Sequence, residues 1–164
     1  MKKFIVLSII LLMLAGFAIT SSAMVVTLFA DQTIEVGTLN VEVIGDNLVV
    51  TYAITDTEWE LGETHLYVGT IAPTKSAPGR FPYGPEDVVE EGKYEIALDG
   101  FTGTLFIAAQ AEIGKIDPDT GEPVLDFITG LQIEETAWAI GEGSICIPPC
   151  KNWAMYFTFE VVAP

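Results

Sequence analysis

The chain has 164 residues, with 23 acidic against 7 basic side chains and a net charge of −16 at neutral pH. This length predicts a single compact domain, and 9 Phe, 5 Tyr and 3 Trp residues supply enough apolar surface to exclude intrinsic disorder. A surface this acidic repels phosphates, which excludes DNA and RNA as partners. The chain has 1 His and contains no catalytic motif, so we expect a protein that is not an enzyme.

The N-terminus has the layout of a secretory signal peptide. Lys2 and Lys3 precede an uncharged, leucine-rich run over residues 4–19, and small residues follow at 21–23. Cleavage after Ala23 would leave residues 24–164 as the exported domain, with five basic against 23 acidic residues. The alternative is an uncleaved membrane anchor extending to residue 30, because the next charge is Asp31. Both alternatives predict an extracellular or cell-surface location, with membrane contact only through the leader.

Alternation of apolar and polar residues, which is typical of strands, runs through the rest of the chain. Strands are predicted at 39–43 and 48–54, joined by a turn at 45–47, and then at 64–70, 94–98 and 104–113. Proline-rich residues 72–92 predict an irregular crossover. The last strand has the clearest pattern, with five large residues on one face: Trp153, Met155, Phe157, Phe159 and Val161. Without any sustained helical period, these elements predict an all-β, antiparallel β-sandwich or jelly roll.

An apolar, β-prone run directly follows the predicted leader. It contains Val25, Val26, Leu28 and Phe29, and such a run is an aggregation hazard when left free. It must therefore either dock as the first strand of its own sheet or add to the sheet edge of a neighbouring copy. The second alternative predicts a homopolymer.

Cys146 and Cys150 bracket a three-residue segment that contains two prolines. In an exported protein, two cysteines this close together predict a disulfide. The enclosed loop is short, so the bond would mainly stiffen a turn.

Closely spaced carboxylates occur at Asp117, Asp119 and Glu122, around a turn-forming Gly121. Such a cluster can bind a hard cation such as Ca²⁺, which the extracellular medium supplies. The alternative is a solvated hairpin turn, for which Asp, Pro and Gly are the expected residues.

His65 lies two positions from Glu63, on one face of its predicted strand, and Glu134 and Glu135 open another strand. If the strands are neighbours, His65 could bind a metal between carboxylates or form a structural hydrogen bond to Glu. A hydrolase using Glu63 and Glu135 is a third hypothesis, although nothing marks them as an acid/base pair. Four aromatic residues are candidates either for a carbohydrate platform or for the core: Trp59, Tyr67, Tyr83 and Trp138.

Several motifs together resemble a recurrent module of secreted and cell-surface proteins of bacteria and archaea, over residues 35–162. They are ETHLYVG at 63–69, APGRFPY at 77–83, residues 105–111, ETAW at 135–138 and KNWAMYFT at 151–158. Residues 28–31 and 36–39 after the leader are similar to the start of TasA/camelysin-type extracellular fibre subunits and archaeal bundling pilins. The second resemblance implies a jelly roll that polymerises by donating its N-terminal strand.

Export, β patterning and acidity together favour a non-enzymatic structural protein of the cell surface or extracellular matrix. Its N-terminal strand would be the assembly element. The main alternative is an extracellular module that binds Ca²⁺ or carbohydrate.

Overall fold

The computed structural model describes residues 22–145 and 153–162. This part of the chain forms nine strands: β1 (Ala23–Ala30), β2 (Ile34–Ile44), β3 (Asn47–Ile54), β4 (Trp59–Gly69), β5 (Lys93–Ala97), β6 (Gly103–Lys115), β7 (Glu134–Ala139), β8 (Gly143–Ser144) and β9 (Met155–Val161). Short 3₁₀ helices occur at Pro78–Arg80 and Pro85–Asp87. No helix in the described residues is long and apolar enough to cross a membrane. Most of the predicted leader and the predicted Cys146–Cys150 disulfide lie outside the described residues.

All strand pairings are antiparallel, and the strands form one sheet in the order β5-β3-β2-β1-β7-β6-β9-β8, with β4 also pairing with β6. The long strand β6 is the centre of this arrangement. One of its edges pairs with β4 from Phe106 to Lys115. The other edge is shared, since β9 pairs with Gly103–Ile107 and β7 pairs with Gln110–Gly114.

One face of the sheet encloses the main core, to which every strand except β8 contributes. Strand β6 illustrates this arrangement, because its residues alternate between the core-facing side and the opposite side of the sheet. Its core-facing row is fully or nearly fully buried: Leu105, Ile107, Ala109, Ala111 and Ile113. The two alanines in this row, Ala109 and Ala111, leave room for the larger residues of facing strands.

The two ends of the sheet approach each other across this core. The Tyr52 hydroxyl on β3 donates to the His65 carbonyl oxygen on β4 at 3.0 Å, and the Tyr94 hydroxyl on β5 donates to the Thr64 carbonyl oxygen at 2.8 Å. Because β3 and β5 lie far from β4 in the strand order, these bonds show that the sheet is strongly curled. Burial raises the pKa of Tyr52 well above its usual value, as expected for a phenol sealed in this core.

The gap between the curled ends is bridged by the crossover, residues 70–92. Leu66 on β4 exchanges two main-chain hydrogen bonds with Tyr83, at 2.9 and 3.2 Å, and the Gly92 carbonyl accepts one from Tyr52 at 2.8 Å. Gly92 has a φ of +65°, a conformation that glycine adopts without the steric cost of a Cβ. The crossover therefore supplies hydrogen bonds that a closed sheet would take from neighbouring strands.

The prediction of an all-β, antiparallel fold is confirmed, and so are the predicted strands and the irregular crossover. Strands β2 and β4 extend further than the alternation suggested, since they begin at Ile34 and Trp59, whereas the last strand begins later than predicted, at Met155. The finer prediction of a sandwich or jelly roll is not confirmed, because the strands form one sheet that is not closed. Of the five residues predicted on one face of the last strand, Phe157, Phe159 and Val161 belong to the main core. Met155 is only partly buried, and Trp153, which precedes β9, packs in a smaller cluster.

Candidate functional site

Strand β1 holds the predicted assembly residues in an inner position of the sheet. It pairs with β2 over its whole length and with β7 from Leu28 to Ala30. Val26 and Leu28 face the core, while Val25 is 67% exposed. In this single chain, the apolar run therefore docks as a strand of its own sheet, and its donation to another copy stays a prediction.

The turn between β1 and β2 has an unusual conformation. The Thr33 amide donates to the Ala30 carbonyl at 3.1 Å, and the two intervening residues, Asp31 and Gln32, have φ of +44° and +63°. Positive φ at both central positions is typical of a type I′ turn, which normally selects Asn and Gly. Gln32 has neither the short polar side chain of Asn nor the freedom of Gly, so this turn is strained.

The sequence-predicted residue His65 lies on the face of the sheet opposite the main core, which we call the outer face. It stands directly across from Gln110 on β6, and Gln110 stands across from Trp138 on β7. A pocket of about 330 Å³ opens here, and the crossover residues Pro78 and Gly79 form its far wall. Glu112 and Thr136 complete the lining.

Gln110 is the feature of this pocket that sequence reasoning missed. Its side chain is 3% exposed, and its Oε1 atom is buried without a hydrogen-bond partner. A buried amide oxygen without a partner costs about 1–3 kcal/mol. This oxygen has almost no accessible surface, so a ligand hydroxyl or amine would reach it only after the Gln110 side chain turns toward the pocket. The signal in the sequence was the polar residue itself, in an otherwise apolar stretch of β6.

The carboxylates predicted near His65 are only partly brought together. Glu134 and Glu135 line a neighbouring pocket of about 260 Å³, which shares Glu112 and Thr136 with the first. Glu63 lines neither pocket. Within residues 22–145 and 153–162, no three or more His, Cys, Asp or Glu side chains are grouped so that they could hold a metal ion.

The aromatic side chains serve packing in this structure. Trp59 and Trp138 are 9% and 2% exposed, which leaves little ring face for a sugar. Phe81 of the crossover contacts both Tyr67 and Trp138 in edge-to-face geometry, with ring centroids about 6 Å apart. These contacts fasten the crossover to the outer face.

The predicted cation cluster lies in the first of two loops with the same structure, at 117–122 and 126–131. In the first, Asp117 Oδ1 accepts hydrogen bonds from the amides of Asp119 and Thr120, at 2.9 and 3.1 Å. The Gly121 amide also donates to the Asp117 carbonyl at 2.7 Å. The Asp117 carboxylate thus holds the turn in place, and calcium binding stays a prediction.

The second loop repeats these bonds at a spacing of nine residues. Asp126 Oδ1 accepts from the amides of Ile128 and Thr129, at 3.0 and 2.8 Å, and the Gly130 amide donates to the Asp126 carbonyl. These bonds to the ionised carboxylate hold the pKa of Asp126 below its usual value. The sequence signal of this repeat is a shared D-x-x-T-G motif at residues 117–121 and 126–130.

A third pocket, which we call the crossover pocket, opens where the crossover leaves β4. Its volume is about 280 Å³, and its apolar walls include Tyr67, Ile71, Phe81 and Pro82. Lys75 and Arg80 also line it, and both side chains are exposed. The described residues contain two other basic side chains, Lys93 and Lys115, and both of those form salt bridges with glutamates.

Comparison of the chain with protein-family models, with curated proteins and with solved structures finds no match in any of the three.

Proposed function

We propose that the chain is an exported, non-enzymatic structural subunit of the cell surface or extracellular matrix that polymerises by exchanging β1 between copies. The observation that carries the proposal is the position of β1, an inner strand joined to the sheet through a strained turn. Removal of this strand leaves a slot between β2 and β7. The same strand from another copy fits that slot in the same register, so exchange preserves the pairing and burial of β1 and opens only the turn at residues 31–33.

The turn supplies a driving force for the exchange. When β1 crosses to another copy, residues 31–33 become an extended connection, and Asp31 and Gln32 leave the left-handed region. Each such residue costs about 1–3 kcal/mol in a folded chain. Exchange relieves this cost while it keeps the burial of Val26 and Leu28. The N-terminal resemblance to extracellular fibre subunits supports the same assembly mode.

A disulfide trap between β1 and β2 tests the exchange. Val25 lies directly opposite Asn40, and opposed residues in antiparallel strands lie within reach of a disulfide. We expect V25C/N40C, with Cys146 and Cys150 changed to Ser, to give a ladder of covalent multimers when assembled material is oxidised. Oxidation before assembly should lock β1 in its own sheet and prevent polymerisation.

The matched control is N40C/T51C, which joins β2 to β3 and shares one of the two positions. Both strands stay on the same copy during exchange, so oxidation of its polymer should yield only cross-linked monomers. If assembled V25C/N40C also yields only cross-linked monomers on a denaturing gel, the exchange is disproved.

The unpartnered oxygen of Gln110 favours a second candidate function, the binding of a small hydroxylated ligand such as a saccharide on the outer face. Once the Gln110 side chain turns toward the pocket, sugar hydroxyls could donate to its Oε1 atom and to Glu112. A panel of mono- and disaccharides, followed by NMR shifts of the Gln110 side-chain amide, tests this function. Q110M keeps the volume and removes the acceptor, so it should abolish any shift in the neighbouring amides. A panel without any shift argues against saccharide binding.

A further inference from the structure

The second loop presents an exposed apolar tip. Phe127 is fully exposed and Ile128 is 90% exposed, with Leu131 beside them at 70%. The first loop has the same hydrogen-bonded frame but carries Pro118 and Asp119 at the equivalent positions. The first loop forms the same turn without apolar groups at these positions, so the turn does not require Phe127 or Ile128. Large exposed apolar residues clustered in this way mark an interaction site.

Charge restricts the partner of this tip. Asp126 lies at the base of the tip, and the first loop, nine residues earlier in the chain, adds Asp117, Asp119 and Glu122. A partner surface must therefore combine an apolar depression with positive charge. The crossover pocket has this combination, because Lys75 and Arg80 frame apolar walls and form no ion pair within the described residues.

The tip cannot reach the crossover pocket of its own chain. The two loops follow β6 beside the start of β4, where Trp59 pairs with Lys115. The pocket lies beyond the other end of β4, after Gly69. The strand between them is 11 residues long, about 36 Å at ~3.3 Å per residue. The tip and the pocket thus lie at opposite ends of one molecule.

We propose that the second loop of one copy docks into the crossover pocket of another, with Phe127 and Ile128 against the apolar walls and the loop carboxylates beside Lys75 and Arg80. Two different surfaces at opposite ends make a head-to-tail contact, which propagates into an open chain instead of closing a dimer. This contact deepens the proposed self-assembly and rests on it. It acts between the bodies of successive copies, apart from the strand that they exchange.

The test uses V25C/N40C oxidised as a monomer, with Cys146 and Cys150 changed to Ser, so that strand exchange is blocked and only the new contact is measured. In this locked parent we expect concentration-dependent association by analytical ultracentrifugation. F127P/I128D gives the second loop the tip of the first, whose frame it already shares, so folding should be preserved. K75E/R80E changes two exposed side chains at the pocket. Each variant alone should associate at least tenfold more weakly than the locked parent.

A mixture of the two variants gives the decisive measurement. One variant keeps the pocket and the other keeps the loop, so together they should form a 1:1 dimer that does not grow. A locked parent that stays monomeric, or a mixture without a dimer, overturns the contact. If the locked parent binds phosphatidylcholine vesicles and F127P/I128D does not, the loop is a membrane-binding element. That result would also overturn the contact between copies. Failure of strand exchange would be detected separately, as the absence of the covalent ladder when V25C/N40C is oxidised only after assembly.

Discussion

At the scale of single residues, Tyr94 makes the most consequential polar contact in the core. Its ring is fully buried, and its hydroxyl lies 2.7 Å from Thr64 Oγ1, 2.8 Å from the Thr64 carbonyl oxygen and 3.2 Å from that of Gly84. One side chain on β5 thereby joins the far end of the sheet to β4 and to the crossover. Burial raises the pKa of Tyr94, so the hydroxyl stays protonated and able to donate at physiological pH.

We expect Tyr94→Phe to lower the free energy of unfolding by about 1–3 kcal/mol, because the buried Thr64 hydroxyl and the Gly84 carbonyl each lose their contact with the phenol. Urea denaturation of the monomer measures this change. Tyr156→Phe is the matched control, since Tyr156 packs its ring on Phe106 and its hydroxyl makes no hydrogen bond among the described residues. A Tyr94→Phe variant as stable as that control would show that the three contacts add nothing.

At the scale of elements, the β1–β2 hairpin combines a well-paired strand with an unfavourable turn. The pairing runs from Ala23 to Ala30, with a register shift between Leu28 and Phe29 just before the turn. Side-chain burial along β1 favours the native register, whereas the left-handed Asp31 and Gln32 oppose the turn. The strand is thus stable in its slot, and its connection to β2 is the weak part.

Gln32→Gly should stabilise the monomer by about 1 kcal/mol, since glycine adopts a positive φ at little cost. The same change should slow the appearance of the covalent ladder in V25C/N40C, because less strain is released by exchange. Urea denaturation and gel time courses measure the two effects.

Thr33→Gly controls for added chain flexibility, because Thr33 does not have a positive φ. It should lower stability, as the unfolded chain gains entropy and the hydrogen bond from Thr33 Oγ1 to the Asp31 carbonyl is lost. Equal effects of the two glycines would refute turn strain as a driving force.

At the scale of the whole molecule, net charge opposes assembly. The chain carries 23 acidic against 7 basic residues, and two of those basic residues belong to the predicted leader. Copies this acidic repel one another over a distance set by the Debye length, which falls from about 30 Å at 0.01 M to about 8 Å at 0.15 M ionic strength. The strand exchange and the loop contact that we propose both act at shorter range than this repulsion.

We therefore expect the assembly rate, followed by light scattering, to rise at least tenfold when NaCl is raised from 10 to 200 mM. CaCl₂ and NaCl compared at equal ionic strength separate screening from cation binding. Equal rates indicate screening alone, while a specific calcium effect that is lost in Asp119→Asn would support the predicted site at Asp117, Asp119 and Glu122. Assembly that slows with salt would contradict the repulsion argument.

Much of the fold could be predicted because alternation is a local signal. Leu105, Ile107, Ala109, Ala111 and Ile113 alternate in the sequence, and all of them face the core. The pairing of strands is not local, and it decides the architecture. Nothing in the sequence shows that the hydroxyls of Tyr52 and Tyr94 reach β4. The sequence also does not show the continuous pairing that makes one sheet of all the strands.

The candidate sites likewise combine residues that stand out in the sequence with neighbours and exposure that only the fold creates. His65 stands out in the sequence as the single His, but its neighbours Gln110 and Trp138 come from strands 45 and 73 residues further along the chain. The apolar tip of Phe127 and Ile128 is visible in the sequence only as two apolar residues, since exposure depends on what packs against them.

The sequence by itself determined the acidity, the strand periodicity and the apolar run at residues 24–30, because these depend on residue identity and spacing along the chain. Tertiary structure alone decided that β1 lies inside the sheet, that Gln110 keeps an unpartnered oxygen and that the apolar loop and the basic-rimmed pocket lie at opposite ends. The physical reason is that burial, pairing and direction are properties of contacts between residues far apart in the chain.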